Sequence, residues 1–203
     1  MAVADFSHSG SKRFNDVIAD PEGRVFAGTI GNSPTSGGLF RFERDGSWVE
    51  VASGTDCSNG LAFSPGGDFL YWVCSTRRTL FRFPYHRATG KLDEAAVFYR
   101  AQEGEGIPDG ITVDQKGNLY CIFWGASQFG MIVFSPSGSI LLRLPIPAVA
   151  PTSLCFCGPD LHQLAITSSQ EEELRPATDL FLITSTPFPG GKEYRSRINL
   201  QTT

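Results

Sequence analysis

The stretch Asn59-Gly-Leu-Ala-Phe-Ser-Pro-Gly-Gly-Asp-Phe-Leu-Tyr71 decides the fold. Two short apolar runs meet at Ser64-Pro-Gly-Gly67, where proline presets φ and glycine relieves the backbone, so the stretch reads as a β-hairpin. The same pattern returns in Asn15-Asp-Val-Ile-Ala-Asp-Pro-Glu-Gly-Arg-Val-Phe-Ala27 and in Asp109-Gly-Ile-Thr-Val-Asp-Gln-Lys-Gly-Asn-Leu-Tyr-Cys121. A looser copy is Thr152-Ser-Leu-Cys-Phe-Cys-Gly-Pro-Asp-Leu-His-Gln-Leu-Ala165. The four starts are 44, 50 and 43 residues apart, and a repeat at that period marks an array of one supersecondary unit.

Outward from each hairpin, a third apolar segment follows at Gly38–Phe42, Thr79–Phe83, Gly130–Phe134 and Asp179–Ile183. Weaker fourth segments lie at Trp48–Ala52, Ala95–Tyr99, Ser139–Leu144 and Glu193–Ile198. Four strands in each unit of roughly 45 residues is the arithmetic of a β-propeller blade. The predicted fold is therefore all-β, a single incomplete β-propeller domain over residues 1–203, with about four blades beginning near 13, 57, 107 and 150. A sandwich or jelly roll also holds many short strands, but needs neither equal spacing nor a recurring Leu-Phe-Arg-Phe at one phase. The 16 Phe residues are then expected to pack between neighbouring blades.

Composition agrees. A chain of 203 residues can bury a sizeable core, and its 22 Gly and 13 Pro favour turns over long helices. The net charge of −4 offers no general attraction to nucleic acid or anionic lipid, so neither is an expected partner. The start lacks the basic flank and apolar stretch of a secretory signal. The most apolar region, residues 140–158, is interrupted by Arg143, Pro145, Pro147 and Pro151. Five cysteines, odd in number and set among apolar residues, suit buried thiols in a reducing compartment, so the expected location is cytoplasmic.

In a propeller the first strand of each blade lines the central channel, so Asn15, Asn59, Asp109 and Thr152 form a ring at one mouth. Their oxygens suit a hard divalent cation. The same residue types also open strands by bonding to nearby backbone, and spacing alone does not separate the two readings.

Several ordered motifs resemble the regucalcin and gluconolactonase family: Arg13-Phe-Asn-Asp16, Asp20-Pro-Glu-Gly-Arg-Val-Phe-Ala-Gly-Thr29, Ser58-Asn-Gly-Leu61, Pro108-Asp-Gly110, and Pro151-Thr-Ser153 with Gly158-Pro-Asp160. The likeness runs from about residue 12 to 170. It implies a six-bladed propeller that holds one divalent metal ion (Ca, Zn, Mn or Mg) in the channel mouth and hydrolyses sugar lactones. By that resemblance Asn59 and Asp109 match metal ligands, Asp109 is the catalytic base, and Arg13 with Asn15 holds the small-molecule sugar lactone.

The likeness has gaps. The family's N-terminal Glu-Gly-Pro or Glu-Ser-Pro motif, source of a third ligand, has no counterpart, and Glu105-Gly-Ile-Pro108 belongs to a different blade. About two blades are expected to be missing from the N-terminal side, leaving blade edges through which copies could self-associate. Cys74-Ser75 stands where the family leads one to expect Asp-Ser or Asp-Thr. A non-catalytic calcium-binding or scaffold propeller fragment is the alternative, and esterase or organophosphatase action on the same scaffold a third reading.

Other signals are weaker. Cys155 and Cys157 share one side of a strand and read as a core pair, without a second pair at zinc spacing. His8, His86 and His162 occupy unrelated phases and no Gly-x-Ser-x-Gly elbow exists, which disfavours serine hydrolysis. Gly104–Gly110 reads as a turn and Glu171–Glu173 as a solvated loop.

Overall fold

The computed structural model describes residues 6, 9–126, 130–148, 150–169, 180–183 and 185–199, and among these there is no helix. Sixteen strands form four antiparallel sheets. The first contains β1 (Ser11–Ala19), β2 (Val25–Gly31), β3 (Gly37–Phe42) and β4 (Trp48–Thr55), in sequence order. The second contains β5 (Ser58–Phe63), β6 (Phe69–Cys74) and β7 (Thr79–His86), with β8 (Lys91–Leu92) and β9 (Ala96–Arg100) both pairing with β7. The third holds β10 (Ile107–Val113), β11 (Leu119–Trp124), β12 (Met131–Phe134) and β13 (Ile140–Leu144). The fourth holds β14 (Pro151–Cys157), β15 (Gln163–Ser168) and β16 (Leu180–Ile183).

The hairpin turns form where the sequence places them, each closed by a backbone bond such as Gly23 N to Asp20 O at 3.0 Å and Gly117 N to Asp114 O at 2.9 Å. Gly23, Gly67 and Gly117 take φ of 86°, 72° and 85°, the left-handed region that glycine enters without strain. The fourth copy has Leu161 at this place, with φ of 58°.

Sheets stack face to face through apolar side chains selected by strand alternation. Along β11, Leu119, Cys121 and Phe123 face the second sheet's Tyr71, Val73 and Leu80, while Tyr120 and Ile122 face the fourth sheet's Leu154, Leu164 and Ile166. Phe26 and Leu39 of the first sheet join Leu61, Phe63, Leu70 and Trp72 of the second. Aromatic rings bridge every junction: Phe26 to Phe63 at 5.7 Å, Tyr99 to Phe134 at 4.7 Å and Tyr120 to Phe156 at 5.3 Å. Each such side chain removed from water contributes about 1.5–3 kcal/mol. The phenylalanines thus bind sheet to sheet.

Three expectations fail. Of Gly104–Gly110, read as a turn, residues 107–110 begin β10. Residues 193–198 form no strand. Instead the segment after β16 crosses the molecule, with Gln115 N bonding to Pro189 O, Arg197 N to Gly23 O and Asn199 N to Arg44 O, so its backbone partners lie in the third and first sheets. Cys155 is exposed and Cys157 half-buried, because alternation in β14 turns Leu154 and Phe156 toward the third sheet and the two thiols toward the opposite face. The Glu171–Glu173 run and His8 lie outside the described residues.

Candidate functional site

The first strands of successive sheets lie side by side, β1 against β5, β5 against β10 and β10 against β14. Small residues make this approach possible. A Cβ on Gly60 would fall 2.4 Å from the Asp109 carbonyl oxygen, and one on Gly110 would fall 2.6 Å from the Ser153 Cα. Glycine follows Asn59 and Asp109 in sequence because no side chain fits between these strands.

A second local feature aims the preceding side chains. The ladder register breaks between Phe14 and Asp16, Ser58 and Leu61, Pro108 and Ile111, and Pro151 and Ser153. The four irregularities coincide with Asn15, Asn59, Asp109 and Thr152. An extra residue in a ladder leaves its backbone unpaired and redirects its side chain, a common device beside binding sites. Equal phase in the sequence has become equal position along the row of adjoining first strands.

Two cavities are lined by residues of these strands. One, of about 470 Å³, is walled by β1, β5, β10 and β14 and by Gly191–Tyr194 from the crossing segment; Asp16 and Glu193 line it. The other, of about 460 Å³, brings together Asn59, Asp109 and Thr152 with Asp56, Cys57, Ser75 and Trp124. Asn59 and Asp109 therefore share one open space although they come from different sheets.

Hydrogen bonds tie the remaining candidates to this space. Arg13 Nη1 donates to Asn15 Oδ1 at 2.8 Å, and Asn15 Nδ2 donates to Asn59 Oδ1 at 2.8 Å and to the Ser58 carbonyl at 3.0 Å. Asn59 Nδ2 in turn donates to Ser75 Oγ at 2.9 Å and reaches Cys57 Sγ at 3.6 Å. Arg13 stays exposed at the outer end of this chain. Thr152 is turned to its own sheet, 3.0 Å from Thr167 Oγ1.

Asp109 differs from the others. Among the described residues no group donates a hydrogen bond to its carboxyl. Burial, and then the charge of Asp16, push its pKa up to about 7. Asp16 is itself raised by burial, against the backbone N–H of Val17, which donates to it at 2.7 Å. The Cys57 thiol is pushed up by burial and by the charges of Asp109 and Asp56. The second cavity thus holds two carboxyl groups, Asp56 and Asp109, with Arg78 also on its wall.

Such a donor set fits a hard divalent cation in kind, since the Asp109 carboxyl, which has no hydrogen-bond donor among the described residues, and the Asn59 carboxamide, whose oxygen accepts from Asn15, line the same cavity. Among the described residues no group of three or more His, Cys, Asp and Glu is gathered to hold a metal. Asp56, which the repeat pattern does not single out, brings a second carboxylate to the wall. Its place two residues before β5, the strand that carries Asn59, was the available signal. Ser75 was visible only as the residue beside an unexpected cysteine.

Comparison with known proteins follows the same outline. The family model described as "SMP-30/Gluconolactonase/LRE-like region" matches residues 2–170. Pentonolactonase XacC of Haloferax volcanii is 37% identical over 158 residues, covering 77% of this chain and 53% of that protein. Regucalcin of Xenopus laevis is 33% identical over 167 residues, covering 78% of this chain and 55% of the relative. The chain spans about half the length of these curated relatives. Among solved structures, a calcium-binding protein, regucalcin, from Agrobacterium tumefaciens superposes with a TM-score of 0.83 at 23% identity, covering 98% of this chain and 69% of the other.

Proposed function

The chain belongs to the SMP-30/gluconolactonase/LRE-like family, and from that premise we propose that it carries a divalent-cation-dependent site for opening sugar lactones, built on four blades of a six-bladed propeller plan. One observation carries the reading: Asn59 and Asp109, from different sheets, line one cavity, and the Asp109 carboxyl there lacks a hydrogen-bond donor among the described residues.

Asn59 and Asp109 would hold the cation. When bound, the ion would supply Lewis-acid polarisation of the lactone carbonyl. The chain's own residues do the rest. A water attacks the carbonyl carbon, the Asp109 carboxylate takes its proton, and the ring C–O bond breaks with a proton passing to the leaving oxygen. In the cation-free protein burial and then Asp16 raise the Asp109 pKa to about 7, and a bound cation would favour the ionised carboxylate that accepts the proton. Arg13, exposed and planar, would grip substrate oxygens, and Asn15 would orient the polyol. The five cysteines without disulfide partners support a reducing, cytoplasmic setting.

The test is hydrolysis of gluconolactone and of pentonolactones followed by acid release, with and without Ca²⁺, Mn²⁺ or Zn²⁺. Turnover that needs a cation and disappears in Asp109→Ala is expected; cation-independent turnover, or full activity in that variant, overturns the reading. Binding of cation without turnover would support the non-catalytic reading instead.

A further inference from the structure

Four side chains drawn from two strands and a loop form one continuous hydrogen-bonded line that ends on a backbone carbonyl of β10. It runs from Arg13 Nη1 to Asn15 Oδ1 at 2.8 Å, from Asn15 Nδ2 to Asn59 Oδ1 at 2.8 Å, from Asn59 Nδ2 to Ser75 Oγ at 2.9 Å, and from Ser75 Oγ to the Pro108 carbonyl at 2.7 Å. Each link has one polarity available. Arginine has donors only, so the Asn15 oxygen must face Arg13 and its NH₂ must face Asn59. Asn59 then has to present its oxygen to Asn15, which leaves its NH₂ for Ser75. At the far end a carbonyl can only accept, so the Ser75 hydroxyl must donate to Pro108 and is free to accept from Asn59.

We infer that Ser75 is a positioning residue, which locks the Asn59 carboxamide with its oxygen on the Asn15 side and at the same time ties β5 to the backbone immediately before Asp109. The inference rests on the cation site proposed above. Ser75 is buried, and its two bonds join the second sheet to the third. A flipped Asn59 would set NH₂ against NH₂ at Asn15 and withdraw the amide oxygen, the only atom of that side chain able to bind a cation. In Ser75→Ala the Asn59 NH₂ loses its hydroxyl partner and keeps only Cys57 Sγ, a weak one at 3.6 Å, so the single bond from Asn15 is left to hold the carboxamide. Ser75→Thr keeps the hydroxyl and serves as the conservative control.

Two measurements on wild type, Ser75→Ala and Ser75→Thr decide the matter. The first is the ¹H–¹⁵N spectrum of the cation-free protein, in which the Asn59 side-chain NH₂ pair is assigned by its loss in Asn59→Asp. Wild type and Ser75→Thr should show one slowly exchanging, well-dispersed pair; in Ser75→Ala it should collapse toward random-coil shifts and exchange fast. A pair unchanged in Ser75→Ala overturns the inference whatever the protein binds. The second is calorimetric titration with Ca²⁺ and Mn²⁺, where Ser75→Ala should bind at least about 10-fold more weakly, in line with losses on removing an outer hydrogen bond to a ligand, and Ser75→Thr should stay near wild type. Equal affinity in Ser75→Ala also overturns it. A wild type that binds no cation defeats the proposed function instead, and the spectral result still decides the role of Ser75.

Discussion

Asn15 Nδ2 lies 2.8 Å from Asn59 Oδ1, so equivalent residues of the first two repeats, 44 positions apart in sequence, bond side chain to side chain. The bond exists because the first strands of two sheets pack side by side and a ladder irregularity in each turns an amide toward the other. Repetition in the sequence has been converted into contact.

Removing that amide should therefore be felt in both sheets. Asn15→Ala deletes the donor to Asn59 Oδ1 and to the Ser58 carbonyl and leaves Arg13 without its side-chain acceptor. The expected loss of stability is about 1–2 kcal/mol by urea unfolding. A variant as stable as wild type would mean that these bonds are replaced by water without cost.

Gly60 and Gly67 separate steric from conformational demands. A methyl at Gly60 would meet the Asp109 carbonyl oxygen at 2.4 Å, a backbone atom that cannot swing aside. Gly67 has nothing within 4 Å but a φ of +72°. Gly60→Ala should cost on the order of 2–4 kcal/mol and Gly67→Ala about 1 kcal/mol, measured in parallel by chemical denaturation. The reverse ranking would contradict close packing of β5 against β10.

The Asp109 carboxyl makes the folded protein pH-sensitive. Its pKa rises from the ordinary 3.8 to about 7 through burial and then Asp16, so the folded state holds the proton more tightly than the unfolded chain does. Its contribution is fully present below the unfolded value and is lost as pH rises toward about 7. Without added cation, Asp109→Asn should exceed wild type in stability by on the order of 1–3 kcal/mol at about pH 8, with the gap closing near pH 4. A variant less stable than wild type at the higher pH contradicts the account.

Glu105 runs the other way. Burial acts to raise its pKa, but donors from Tyr99, the Gln102 backbone and Arg143, at 2.5, 2.7 and 2.6 Å, together hold it below the ordinary 4.5. Its stabilising contribution is present above the unfolded value and is lost as pH falls through the lower folded one. Glu105→Gln should cost on the order of 1–2 kcal/mol at neutral pH, a difference that fades in acid. A constant difference down to acid pH would assign the cost to packing rather than charge.

What could be read from the sequence was local. Proline and glycine at Ser64–Gly67 and glycine at Asp114–Gly117 fix turns by φ alone, and the continuous apolar run of residues 119–123 marks a strand buried on both faces, so sheet by sheet the strands could be drawn in advance. Asn15, Asn59 and Asp109 were legible because repetition gives them one phase. Residues 193–198 have an acceptable strand pattern, yet their backbone bonds go to Gly23 and Arg44, a choice made by long-range packing. Cys155 and Cys157 were misjudged for a related reason: alternation tells that they share a face, and only assembly tells that the neighbouring sheet takes the other one. Ser75 and Asp56 belong to no repeat position, and their place at the cavity emerges only once β5, β6 and β10 are side by side.

Calorimetric titration of Ca²⁺ or Mn²⁺ into wild type, Asn59→Ala, Asp109→Asn and the double variant tests the central claim most directly. One site in wild type, lost to a similar degree in either single variant with little further loss in the double, is the predicted result. Undiminished binding in both single variants would show that the amide of Asn59 and the carboxylate of Asp109 do not hold a cation together.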